Sequence, residues 1–185
     1  MTTKPRLINV EGLLELPRGR VRRELIEGEL KEMAPAGHEH GHIAHETALS
    51  LGTHVKANEL GRVYAAETGF KLASNPDTVR APDMAFVSQE RLQEVTSSTS
   101  YFPGPPDLAI EIISPNDRHN EVEEVEMWLR YGVQMVVTLN PQLRTAMVYR
   151  SPDDIRMLRE EGRLEGGNVV PGWTLPLIDL FSQHR

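Results

Sequence analysis

The chain has 185 residues, 39% of them hydrophobic and 25% charged, which suits one globular domain with its own core and excludes a disordered chain. It contains no cysteine, so disulfide scaffolds, thiol nucleophiles and cysteine-ligated zinc or iron–sulfur centres are excluded. Twenty basic residues against 27 acidic ones leave a net charge of −7, and nucleic acid would be bound only through a local basic patch or bound cations.

Residues 9–16 read as a short helix closed by Pro17. Arg18, Arg20, Arg22 and Arg23 follow; a solvated edge strand is the plain reading of this group, and phosphate contact the sharper one. The alternating stretches 23–27 and 29–33, joined at Gly28, predict a tight hairpin. Apolar residues at Ile43, Ala44, Ala48, Leu51 and Val55, with Gly61 past the end, predict a helix over 41–60. Strands are expected over 62–67 and 68–73, with so little punctuation between them that one bent strand is an alternative. The next strand is expected over 79–87, with Ser88 capping a short helix through Val95. A loop over 96–106 holds Pro103, Pro105 and Pro106. Residues 107–113 predict a buried strand with two acids in it, and 117–131 a helix stopped by Gly132. Strands over 133–139, 145–150 and 155–158, an extended tail over 171–177 and a last turn over 178–181 complete the chain.

This order suggests an α/β or α+β sandwich around a central mixed sheet, read as a single domain over 1–185. Periodicity turns Ile43, Leu51, Val55, Leu108, Ile110, Ile112, Val136 and Leu139 inward, with Ile110 and Ile112 on the face opposite Glu111. No run approaches the ~20 apolar residues of a membrane span. The first residues lack the apolar core of a signal peptide, so a cytoplasmic protein without membrane partners is expected.

Two carboxylates stand in the wrong setting for surface decoration. Asp83 lies within the apolar run 81–87, and Glu111 within Leu108-Ala109-Ile110-Glu111-Ile112-Ile113. A carboxylate in a buried strand is costly unless paired, hydrogen-bonded or bound to a cation. A divalent ion shared by two such acids is one compensation, and hard oxygen ligands favour magnesium or manganese. Pairing of each acid with an arginine or a loop amide is the other. His38, His40, His42 and His45 have partly helical spacing; zinc or nickel is one reading, and a solvated helix start with one or two histidines near a cleft is the plainer one. No GxSxG, GxGxxG or P-loop occurs, and Trp128 and Trp173 read as core.

The series ELIEGELKEMAPAG, HG before a helix, ETGFKL, VRAPDMAFV, PDLAIEIISPNDR, WLRYGV, NPQLRTAMVYR and PGWTLPLIDLF resembles the Uma2 family of restriction-endonuclease-like proteins, from about residue 10 to about residue 181. The resemblance implies a PD-(D/E)XK nuclease core of α+β class, a mixed sheet flanked by helices with an N-terminal helix and hairpin. It implies Asp83 and Glu111 as catalytic metal ligands, Ile112 as a further contributor to the metal site, Mg2+ or Mn2+ as cofactor, DNA as substrate, and a homodimer. The signature lysine is missing: residue 113 is isoleucine, and no lysine occurs over 114–131, where Uma2-like sequences carry theirs after a Glu-Glu pair. Lys71 and Arg118 are the candidates to replace it, with Lys71 facing either cleft or solvent. His40 and Glu67 sit in family-like motifs and are candidate cleft residues. The implied activity is metal-dependent hydrolysis of DNA phosphodiester bonds. The alternative is a member without catalysis, serving as a nucleic-acid-binding or regulatory module.

Overall fold

Asn9 opens the first helix, α1 (Val10–Glu15), by accepting the Gly12 amide on its side chain at 2.9 Å, and the helix turns Val10 and Leu13 inward. The structure is a computed structural model that describes residues 7–17, 21–95, 100–114 and 121–182. The hairpin forms as β1 (Arg22–Ile26) and β2 (Glu29–Met33); Glu27 and Gly28 both take positive φ, as a two-residue turn matched to strand twist requires. Helix α2 (His38–Ala57) buries Ile43, Thr47, Leu51 and Val55, one residue per turn. It is followed by β3 (Gly61–Ala65), β4 (Phe70–Ala73), β5 (Thr78–Arg80), β6 (Met84–Ser88) and α3 (Gln89–Leu92). Then come β7 (Phe102–Pro103), β8 (Leu108–Ile112), α4 (Glu121–Arg130), β9 (Met135–Asn140), β10 (Thr145–Ser151) and β11 (Asp154–Arg159). The last elements are β12 (Arg163–Glu165), β13 (Thr174–Pro176) and α5 (Leu177–Phe181).

The strands build two principal sheets where one was expected. One has the order β2-β1-β5-β4-β7 and the other β11-β10-β9-β8-β6-β3, with β12 and β13 paired apart. Each principal sheet is mixed, through the parallel pairs β4–β7 and β8–β9. The fold is therefore α+β with mixed sheets flanked by helices, as the element order suggested.

The extra sheet comes from two breaks. The strand expected over 79–87 is divided: β5 pairs with β1 and β4, while β6 pairs with β3 and β8. Between them Pro82 has no N–H to give to a ladder, and the Asp83 amide goes to a side chain. The stretch 62–73 is likewise two strands in two sheets, parted by a turn in which Glu67 has φ 69°. The short helix after Ser88 ends at Leu92, and Ser88 makes no side-chain cap. β12 and β7 were not foreseen.

All eight expected core residues are buried. Leu108, Ile110 and Ile112 of β8 face α2, while Ala109 and Val136 pack with Val125 and Trp128 of α4 on the other side. Glu111 takes the α4 face, opposite Ile110 and Ile112. No helix of the described residues is long and apolar enough to cross a membrane.

Candidate active site

Asp83 sits where the chain crosses from one principal sheet to the other. In the β6–β8 ladder Met84 stands opposite Ile110, so Asp83, one residue before Met84, comes level with Glu111. The two acids meet there, 4% and 8% exposed. The Asp83 amide donates to Glu111 Oε2 at 3.3 Å, and Trp128 Nε1–H donates to Glu111 Oε1 at 2.9 Å. Asp83 Oδ2 accepts the Ile112 amide at 2.9 Å and lies 2.9 Å from His40 Nε2 in the first turn of α2. Its Oδ1 lies 3.3 Å from Arg22 Nη1.

Period-two alternation in β1 sends Arg22 and Glu24 to the same face, toward these acids. Arg22 Nη2 reaches Glu24 Oε1 at 3.1 Å, and the same oxygen accepts the Ala81 amide at 2.9 Å. Arg80 Nε lies 2.6 Å from Glu24 Oε2. The Arg80 guanidinium also pairs with Glu124 of α4 and lies 5.9 Å from the centre of the Trp128 ring. Among the described residues, the four carboxylates Glu24, Asp83, Glu111 and Glu124 lie with Arg22, Arg80 and His40.

Burial and neighbouring charge shift the protonation equilibria. Burial, then the neighbouring Glu124 and Asp83, hold the Glu111 carboxyl well above the ordinary carboxylate range; Arg80 and Arg22 oppose this. Burial would lower the Arg80 guanidinium, but Glu24, Glu124 and Glu111 together raise it.

Asp83, Glu111, His40 and the Ile112 amide are thus brought together, whereas Lys71 and Glu67 are not. Lys71 stands opposite Val79 in the β4–β5 ladder, and Val79 packs with Leu25, Val10 and Leu13 beneath α1. Arg80, next to Val79, points to the acids, so Val79 and its cross-strand neighbour Lys71 point the other way. The Lys71 ammonium lies 3.7 Å from Asp77 Oδ1, at a groove of about 710 Å³ that Asn9 and Glu11 also line. Of the two sides left open to it, Lys71 takes the one away from the acids, which corrects its candidacy as the replacement catalytic lysine. Glu67 is exposed in its turn and makes no ion pair with the cluster, and Arg118 lies outside the described residues.

The arginine group also departs from the edge-strand reading, because β1 is paired on both sides and Arg22 turns to Asp83. Arg23 pairs with Glu32, while Arg18 and Arg20 lie outside the described residues. The histidines disperse: His40 goes to Asp83, and His54 Nε2 lies 2.9 Å from the Pro171 carbonyl oxygen. Among the described residues no three His, Asp or Glu side chains are arranged to hold an ion.

Sequence reading missed Arg22, Glu24, Arg80, Glu124 and Trp128 as members of the cluster. Arg80 carried the signal that singled out Asp83, a charge inside the apolar stretch 79–87. The parity shared by Arg22 and Glu24 was visible in the hairpin pattern, but what lay over that face was not.

The donor set fits a hard divalent ion. Magnesium commonly takes one or two carboxylates and keeps several waters, so three converging side chains are not required. Here two nearly buried carboxylates stand side by side, with the Asp83 amide on Glu111 Oε2. Comparison with known proteins identifies a family. The Uma2 family model, described as "Putative restriction endonuclease", matches residues 10–178. The chain belongs to this family. A crystal structure described as that of "a putative nuclease belonging to DUF820" from Anabaena variabilis ATCC 29413 aligns with TM-score 0.78 and 22% identity, over 95% of this chain and 98% of that one. At such identity the likeness speaks for the nuclease-like fold. No curated protein matches the chain in sequence. In this Uma2 chain, then, the described arginines beside the paired acids come from β1 and β5, and α2 brings His40 to Asp83.

Proposed function

We propose that this chain hydrolyses DNA phosphodiester bonds, with a Mg2+ or Mn2+ ion held by Asp83 and Glu111 and by the main chain at Ile112. The observation that supports this best is the meeting of two nearly buried acids, Asp83 and Glu111, where the two principal sheets adjoin. When bound, the ion supplies Lewis-acid polarisation of a phosphate oxygen and activation of a water. The chain's own groups prepare the place. The Ile112 amide and His40 orient Asp83, Trp128 orients Glu111, and Glu24 with Glu124 holds Arg80. The acidic chain works as a homodimer, in which two copies enlarge the surface offered to DNA.

The test is cleavage of plasmid, linear duplex and single-stranded DNA with Mg2+ or Mn2+, comparing the wild-type protein with D83N and E111Q. Wild-type cleavage that falls by about 10²-fold or more in either variant supports the reading. The placement of Lys71 at Asp77 favours a second reading, a nucleic-acid-binding or regulatory module. Bound Mn2+ with all three DNA forms left intact decides for that one.

A further inference from the structure

We propose that Arg22 is the group with which this site grips a nucleic-acid phosphate, and that a divalent cation releases it for that task by replacing it at Asp83. This rests on the cation site argued above and adds to it a substrate contact and an order of events. The two arginines of the cluster are held differently. Arg80 has a 9% exposed side chain, fixed between Glu24 and Glu124 and set against Trp128. Arg22 is 23% exposed, and its contacts with Glu24 and Asp83 are longer, at 3.1 and 3.3 Å. Of the two it is the one that solvent, and therefore a ligand, can reach.

The two oxygens of Asp83 also differ. Oδ2 takes the Ile112 amide and faces His40, whereas Oδ1 faces Arg22. A cation arriving at Asp83 contends with Arg22 for Oδ1. Arg22 does not then leave the site, because Glu24 still holds it, and Glu24 is itself pinned by the Ala81 amide and Arg80. A guanidinium with part of its planar fork unpaired is suited to bidentate contact with a phosphate. Charge points the same way. A cation at Asp83 brings there the positive charge that Arg22 now supplies, which leaves the Arg22 guanidinium to meet a phosphate. The other described basic residues of the hairpin have partners, Arg23 with Glu32 and Lys31 with Glu29.

The experiment uses the whole chain as wild type, R22A, R22K and, as a charge control on the far face, K71A. Calcium affinity is measured by calorimetry, and affinity for a fluorescent DNA duplex by anisotropy, with and without Ca2+, over a range of KCl. We expect R22A to bind Ca2+ several-fold tighter, since the competitor for Oδ1 is gone. It should bind the duplex in Ca2+ about tenfold more weakly, with a salt slope lower by about one, as loss of one phosphate contact predicts. R22K should recover part of the DNA affinity, and K71A should match wild type. Thermal unfolding shows whether R22A folds; if it does not, R22K alone decides, by a tighter Ca2+ site and weaker DNA binding than wild type. Weaker Ca2+ binding in R22A with an unchanged salt slope overturns the proposal in favour of a structural role. A wild-type protein that takes up no Ca2+, or grips DNA equally well without it, also overturns it. A wild-type protein that behaves as expected here but cuts no DNA with Mg2+ or Mn2+ refutes the nuclease reading and leaves the role of Arg22 standing.

Discussion

Glu111 bears the cost of the cluster. Its carboxyl is held above the ordinary value of 4.5 by burial and then by Glu124 and Asp83, so the folded chain binds this proton more tightly than the unfolded chain does. The sign follows from linkage. Glu111 adds its full contribution to stability below pH 4.5, and that contribution is lost as pH rises through the raised value in the fold. Gln at this position does not titrate. We therefore expect the Tm of the wild type, relative to that of E111Q, to fall as pH is raised from about 4.5 to 9 in the presence of a chelator. Calorimetry on both proteins across that range checks this, and a constant difference would refute it. Manganese should restore part of the loss in the wild type, because a cation beside Glu111 favours its charged form.

Arg80 acts between elements. It leaves β5, meets Glu24 on β1 and Glu124 on α4, and so ties the hairpin sheet to the helix that packs on the six-stranded sheet. Replacing it with methionine keeps apolar contact with Trp128 but leaves two carboxylates without their shared cation. Removing one partner of a buried pair costs about 3 kcal/mol or more, and urea unfolding of R80M should show a loss of that size. A change below about 1 kcal/mol would mean that water already shares the pair. The elements themselves were largely legible in the sequence. The hairpin, α2 and β8 were readable because local turn chemistry and periodicity specify them. The division of 79–87 was not, since Ala81-Pro82-Asp83 continues the apolar pattern while its backbone leaves the ladder.

For the whole molecule the net charge of −7 sets the terms on which the proposed DNA substrate would be met. If two copies assemble the DNA-facing surface, light scattering at micromolar concentration will give twice the mass of one chain, whereas a single-chain mass would remove the homodimer from the proposal. By itself the sequence determined the local elements, the eight inward-facing residues and the pair of acids, because burial and strand parity are written in residue type and spacing. It also carried the family resemblance that the matched span bears out. Which charges surround those acids was decided only by the tertiary structure. Parity says that Lys71 and Arg80 each favour one side of a strand, but not which side faces Asp83. That choice followed from sheet order, which set β1 beside β5 and brought Arg22 to Asp83 from 61 positions away along the chain. Pairing of that kind is settled by packing two sheets against shared helices, and no local window of residues contains it.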